Sequence, residues 1–157
     1  MEEIAFMDQA TCSLEEWLRN ELHFINHDAA ATLNGRMEAE FYACDEKIRE
    51  ITLKFPLKDW EVNGIGTLHG GMASTMLDLT MSMAVYAFSR QAVPPTISMT
   101  TNYLRPVPMN GAVLVKARVT SLGHRNATAY SEAIVPDTGK TACTAIGTYA
   151  IAEKKGG

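Results

Sequence analysis

Charge is nearly missing from the middle of this chain. Between Val62 and Ser89 the only formally charged side chain is Asp78. Cysteine is scarce as well: Cys12, Cys44 and Cys143 are widely spaced and form no CxxC pair. An odd, scattered set excludes a disulfide framework and leaves reduced, structural thiols as the expectation. No basic run occurs beyond Lys154-Lys155, and the net charge is −4, which argues against nucleic acid as a partner. No stretch reaches the about 18 uninterrupted apolar residues of a membrane span, because the 69–89 segment carries Asp78 and several hydroxyls. The opening Met1-Glu2-Glu3 lacks the basic and apolar regions of a signal peptide. Internal repeats and low-complexity segments are absent too. The expectation is a soluble, cytoplasmic protein with no nucleic-acid or membrane partner.

What is present reads as one α+β domain. The 157 residues, 46% hydrophobic and 20% charged, suffice for a single core. Ser13 and Glu16 fit a capping box, and Leu14, Trp17, Leu18, Leu22 and Ile25 make one apolar face, predicting a helix over 13–25. Asn34-Gly35 signals a turn. Alternation at Met37, Ala39, Phe41 and Ala43, then at Ile51, Leu53 and Phe55, predicts an antiparallel hairpin with one wet face. A glycine-punctuated loop covers 60–68. A helix apolar almost all round follows from about Gly70 to Ser89 and ends before Pro94-Pro95, as a buried helix should look. Four strand-like runs, about 96–105, 112–122, 127–135 and 141–151, complete the chain. The central helix needs a curved antiparallel sheet around it, and leftover sheet edges invite a second copy.

Asp78 is the candidate for chemistry. Its placement in an otherwise apolar helix is costly to desolvate, and chains tolerate that most often where a carboxylate works. On a helical wheel Gly71, Ser74, Thr75, Asp78, Ser82 and Ser89 fall in one arc about 100° wide. A structural charge paired with Arg90, Arg105 or another basic group is the competing reading. His69-Gly70-Gly71 shifts the balance. Two glycines at a helix start leave backbone N–H groups approachable at the positive end of the helix dipole, where a carbonyl oxygen can be polarised as it becomes an oxyanion.

The run Asn63-Gly64-Ile65-Gly66-Thr67-Leu68-His69-Gly70-Gly71, followed by Leu77-Asp78, resembles the signature of hotdog-fold acyl-CoA thioesterases. Among these it is most similar to the phenylacetic-acid-pathway type and its human relatives, within the 4-hydroxybenzoyl-CoA thioesterase-like superfamily. The likeness continues through Thr96, the segment Asn102-Tyr103-Leu104-Arg105-Pro106 and the Gly139 turn, covering about residues 35–152. The resemblance implies a helical extension at 1–34, a hotdog domain at 35–152 and a tail at 153–157. It also implies a homodimer or homotetramer with the active site between subunits. Asn63, His69 and the helix start would come from one subunit and Asp78 from the other. Gly70 or Gly71 would polarise the thioester carbonyl, and Asp78 would act as general base or nucleophile. Asn63 would hold water or thioester, and His69 would orient the loop. Ser82 and Thr96 match hydroxyls that support the carboxylate and the water. Neither metal nor redox cofactor is implied; coenzyme A enters as part of the substrate.

Other features carry less. His23 and His27 stand four apart but have no third ligand at metal spacing. Arg105, Arg125 and Lys140 are candidates for the phosphates of coenzyme A, with solvated turn charges as the alternative. Met72, Met76, Met81, Met83 and Met99 fit core packing or a pliable acyl pocket. A non-catalytic acyl-CoA sensor or assembly protein on the same fold is the rival function. A hotdog hydratase is disfavoured because the chain has no His-Phe-Pro-Gly or comparable motif.

Overall fold

A computed structural model of the chain describes residues 12–152; the expected tail at 153–157 and the first part of the N-terminal extension lie outside them. The elements in order are α1 (Leu14–His27), α2 (Leu33–Arg36), β1 (Glu40–Asp45), β2 (Glu50–Pro56), α3 (Gly70–Ser89), β3 (Thr96–Tyr103), β4 (Ala112–Leu122), β5 (Asn126–Val135) and β6 (Lys140–Ala150), with a 3-10 turn at Asp59–Glu61. The six strands form one antiparallel sheet in the order β1-β2-β4-β5-β6-β3. The sheet curves around α3, which is the hotdog fold.

Local chemistry explains the elements. The Ser13 hydroxyl accepts the Glu16 N–H at 3.2 Å, and the Glu16 carboxylate accepts the Ser13 N–H at 2.9 Å, so the capping box forms. The buried face of α1 carries Leu14, Trp17, Leu18 and Leu22, and Trp17 meets Tyr86 of α3 edge-on with ring centroids 4.9 Å apart. In β4 and β5, alternate residues turn inward: Val113, Val115, Ala117 and Val119, then Ala127, Ala129, Ser131 and Ala133. Small alanines on β5 let α3 lie close to the sheet, against Met76, Met81, Met83 and Val85, which are almost fully buried. Each large side chain buried this way contributes roughly 1.5–3 kcal/mol.

Two local expectations change. Asn34-Gly35 lies within a single helical turn capped by Thr32, whose hydroxyl accepts the Gly35 N–H at 3.1 Å. Glycine is required there because a Cβ would stand 2.4 Å from the Ala29 carbonyl oxygen. The first strand starts at Glu40 rather than Met37, since Glu38 takes a positive φ of 49° and breaks the extended run. Met37 and Ala39 are buried nonetheless.

Most important for the site is where β3 goes. After α3 the chain crosses to the far edge of the sheet, so among the described residues β3 pairs only with β6 and its other side has no partner strand. Ile97 and Tyr103, both on this strand, are 56% exposed. The stripe of α3 holding Gly71, Ser74, Thr75, Asp78 and Ser82 is only partly covered, so the central helix is less buried than its sequence suggests.

Candidate active site

Two polar clusters occupy α3, one at its N-terminus and one two turns along. The first is made by the loop before the helix. Asn63 staples that loop: its Oδ1 accepts the Ile65 and Thr67 N–H groups, both at 3.0 Å, and its Nδ2 donates to Thr67 Oγ1 at 2.8 Å. Gly66 sits between them at φ 83°, a region that favours glycine. The loop closes through the His69 N–H, which donates to the Glu61 carbonyl at 2.8 Å. Glu61 itself is fully buried. One carboxyl oxygen accepts the Lys58 N–H at 2.9 Å, and Oε1 has no partner among the described residues. Burial pushes its carboxyl above the ordinary range, against the smaller opposing effects of the Lys58 N–H and the Lys58 charge.

His69 is the N-cap of α3. Its Nδ1 accepts the Gly71 N–H at 2.9 Å, which places the ring proton on Nε2. The Gly71 amide is therefore occupied, and the expectation that either glycine amide could face a ligand narrows to Gly70. Its N–H has no partner among the described residues. Tyr103 covers this end from β3, donating to the Gly70 carbonyl at 3.1 Å and meeting the Ser74 hydroxyl. A cleft of about 410 Å³ opens beside it, lined by residues that include Asn63, Gly70, Leu104, Arg105 and Cys143. The Arg105 guanidinium donates to the Thr141 carbonyl.

The second cluster surrounds Asp78. Its Oδ1 accepts from Thr96 Oγ1 at 2.8 Å and from Tyr149 OH at 2.8 Å. Neither partner is charged, so the alternative of an ion pair with Arg90 or Arg105 is set aside. Ser82 is half-buried one turn further on, and among the described residues it makes no hydrogen bond to the carboxylate. Tyr149 is fully buried. Burial first, then the Asp78 charge and hydrogen bond, hold its phenol far above the ordinary value of 10, so it stays protonated and donates.

The structure thus gathers Asn63, His69, Gly70 and Arg105 at the N-terminal end of α3, and Asp78 with Thr96 two turns along it. Arg125 is exposed in the β4–β5 turn and does not line the cleft. None of the described methionines lines it either; Met76, Met81 and Met83 are core. His23 and His27 stack on α1 with centroids 4.1 Å apart, and no group of three metal-ligating side chains converges among the described residues. Among those residues no helix is long and apolar enough to cross a membrane. Tyr149 and Glu61 escaped the sequence reading. The alternation of β6 marked Tyr149 as inward-facing, but nothing local linked it to Asp78.

A curved antiparallel sheet around a long helix that begins His-Gly-Gly defines a hotdog fold. The family model of the thioesterase superfamily matches residues 65–142 of the chain. Human acyl-coenzyme A thioesterase 13 is 27% identical over 74 residues, covering 47% of this chain and 53% of that protein. A phenylacetic acid degradation-related protein of Ralstonia eutropha superposes with a TM-score of 0.69 at 25% identity, over 80% of this chain and 90% of its own. Mouse thioesterase superfamily member 2 shares the fold, with a TM-score of 0.75 at 18% identity over 90% of this chain and 100% of its own. The matches span 53% to 65% of the lengths of the curated relatives.

Proposed function

We propose that the protein hydrolyses an acyl- or aryl-CoA thioester at a site completed by a second copy of the chain. One observation carries this reading: β3 ties both polar clusters to the same unpaired edge. Its first residue, Thr96, bonds Asp78, and its last, Tyr103, bonds Gly70. At 1.5 Å per residue, Asp78 lies about 12 Å along α3 from Gly70, too far for both to serve one carbonyl. Antiparallel pairing of β3 with the partner's β3 about a two-fold axis sets the Thr96 end of one subunit against the Tyr103 end of the other. Each Gly70 amide then faces the partner subunit's Asp78.

The chemistry follows from these groups. The thioester carbonyl oxygen accepts the Gly70 N–H at the positive end of α3, where developing negative charge is stabilised. The partner subunit's Asp78 takes a proton from water, whose oxygen adds to the carbonyl carbon. Collapse of the tetrahedral adduct breaks the C–S bond, and the proton passes from Asp78 to the departing thiolate. Thioester and water become acid and thiol, with no cofactor in the balance. His69 caps the Gly71 amide, and Asn63 holds the loop. The cleft beside Gly70, with Leu104 and Arg105 at its wall, receives the groups next to the thioester.

Thiol release from short, long and aromatic acyl-CoA esters tests this. Wild type should turn over, and Asp78→Asn should lose about a hundredfold to ten-thousandfold in kcat while keeping its fold. Turnover undiminished in Asp78→Asn overturns the mechanism. Silence from both with acyl-CoA still bound favours the non-catalytic sensor. Mixing inactive Asp78→Asn with inactive Gly70→Val should restore about a quarter of wild-type activity, because half of randomly paired dimers carry one intact site. No recovery after subunit exchange overturns the shared site.

A further inference from the structure

Asp78 is held from one side only. Among the described residues both hydrogen bonds to its carboxylate, from Thr96 Oγ1 and Tyr149 OH, end on Oδ1, each at 2.8 Å, and the Tyr149 OH also lies 3.4 Å from the Asp78 carbonyl oxygen. Oδ2 has no partner among the described residues. A carboxylate oxygen offers two lone-pair directions, so two donors fill Oδ1 and leave Oδ2 as the oxygen with capacity to accept. Tyr149 is placed for this by the strand itself. Its ring lies back over Gly147, two residues earlier on the same inward face of β6. A Cβ on Gly147 would stand 2.8 Å from the Tyr149 ring and 2.9 Å from its hydroxyl oxygen. The glycine therefore clears the space through which the phenol of β6 reaches Asp78.

We propose that Tyr149 is a positioning residue for thioester hydrolysis: with Thr96 it clamps Asp78 Oδ1, which makes Oδ2 the reacting oxygen. This rests on the reading of Asp78 as the working carboxylate. The clamp persists through the reaction. When Oδ2 takes the proton of water, Oδ1 becomes the carbonyl oxygen of a neutral acid and still accepts both hydrogen bonds. When Oδ2 instead attacks the thioester and expels the thiolate, Oδ1 becomes the carbonyl oxygen of the anhydride, with the same two donors. Either route proceeds without breaking the contacts that aim the carboxylate. Because the phenol remains protonated, it donates throughout.

The test uses the full-length protein and the acyl-CoA ester that wild type hydrolyses fastest. Tyr149→Phe removes only the hydroxyl. It should lower kcat about tenfold to a hundredfold, the loss of one hydrogen bond to a charged group, with KM and melting temperature near wild type. In the Asp78→Asn background the same change should cost nothing further, since Tyr149 acts through that carboxylate. Gly147→Ala, which displaces the hydroxyl without deleting it, should reproduce the kcat loss and reads the proposal even where Tyr149→Phe folds poorly. Unchanged kcat in folded Tyr149→Phe and Gly147→Ala overturns the proposal while leaving the role of Asp78 intact. An additional loss in the Asp78→Asn background also overturns it, because a role independent of the carboxylate is then at work. Full activity in Asp78→Asn would instead remove the reading on which the proposal stands.

Discussion

The two ends of the working face of α3 are assembled by different means. At the N-terminus, the groups that shape the site are sequence neighbours. Asn63 bonds residues two and four ahead, and His69 bonds the amide two ahead. Two turns on, Asp78 depends on partners 18 and 71 residues away, delivered by β3 and β6. The mouth of the helix is thus a self-contained loop motif, whereas the carboxylate is oriented only once the whole sheet has closed. A substitution in the loop should act locally and mildly unless it blocks the amide itself. A substitution around Asp78 tests the fold and the chemistry together.

Gly70→Val gives the sharpest view of the loop end. The amide remains, but a Cβ at position 70 would stand 3.2 Å from the Tyr103 ring, and the two methyl groups of valine project further. Tyr103 must move, and the approach to the Gly70 N–H is filled. Turnover should fall about a hundredfold, the scale of losing one oxyanion donor, in thiol-release kinetics on the best substrate. Wild-type kcat in this variant would show that the carbonyl is polarised elsewhere.

Asn63→Ala probes the staple rather than the donor. It removes bonds to two backbone amides and one hydroxyl in a partly exposed loop, each contributing about 1 kcal/mol. Misplacement of His69 and Gly70 should lower kcat/KM about tenfold, with Asp78 chemistry otherwise intact. A loss as large as that of Asp78→Asn would mean that Asn63 contacts the reacting atoms, as the resemblance allowed.

The same contrast explains what could be read from the sequence. β4 spans 112–122 as expected, and β5 and β6 begin one residue earlier than expected, because a sheet with one face on a core imposes a period of two. The His69-Gly70-Gly71 start of α3 and its end at Ser89 are local signals and were legible. The crossing of β3 to the far edge was not, since alternation says which face a residue takes but not which strand it pairs with. Tyr149 was hidden for that reason: its role exists only after β6 lies beside β3. Glu61 was hidden for another. A glutamate in a glycine-punctuated loop reads as solvated, yet the 3-10 turn at Asp59–Glu61 folds its carboxyl inward.

Glu61 gives the smallest and most selective test, one that should separate the stability of the loop from its chemistry. Burial raises its folded-state pKa above the ordinary 4.5, while in the unfolded chain the group titrates near that ordinary value. Between the two, the folded protein keeps a proton that the unfolded chain releases. Stability contributed below about pH 4.5 is therefore lost as pH rises through the folded value and then levels off. Glu61→Gln carries no titrating proton, and its amide oxygen can still accept the Lys58 N–H. Melting temperatures of the two proteins across a pH series should diverge in favour of the glutamine variant as pH rises above about 4.5, with kcat nearly unchanged. Parallel melting curves would show that Glu61 does not hold its proton in the fold. A fall in kcat comparable to that of Asn63→Ala would make Glu61 part of the machinery, and the loop end would then rest, like Asp78, on a buried group that its neighbours in sequence do not reveal.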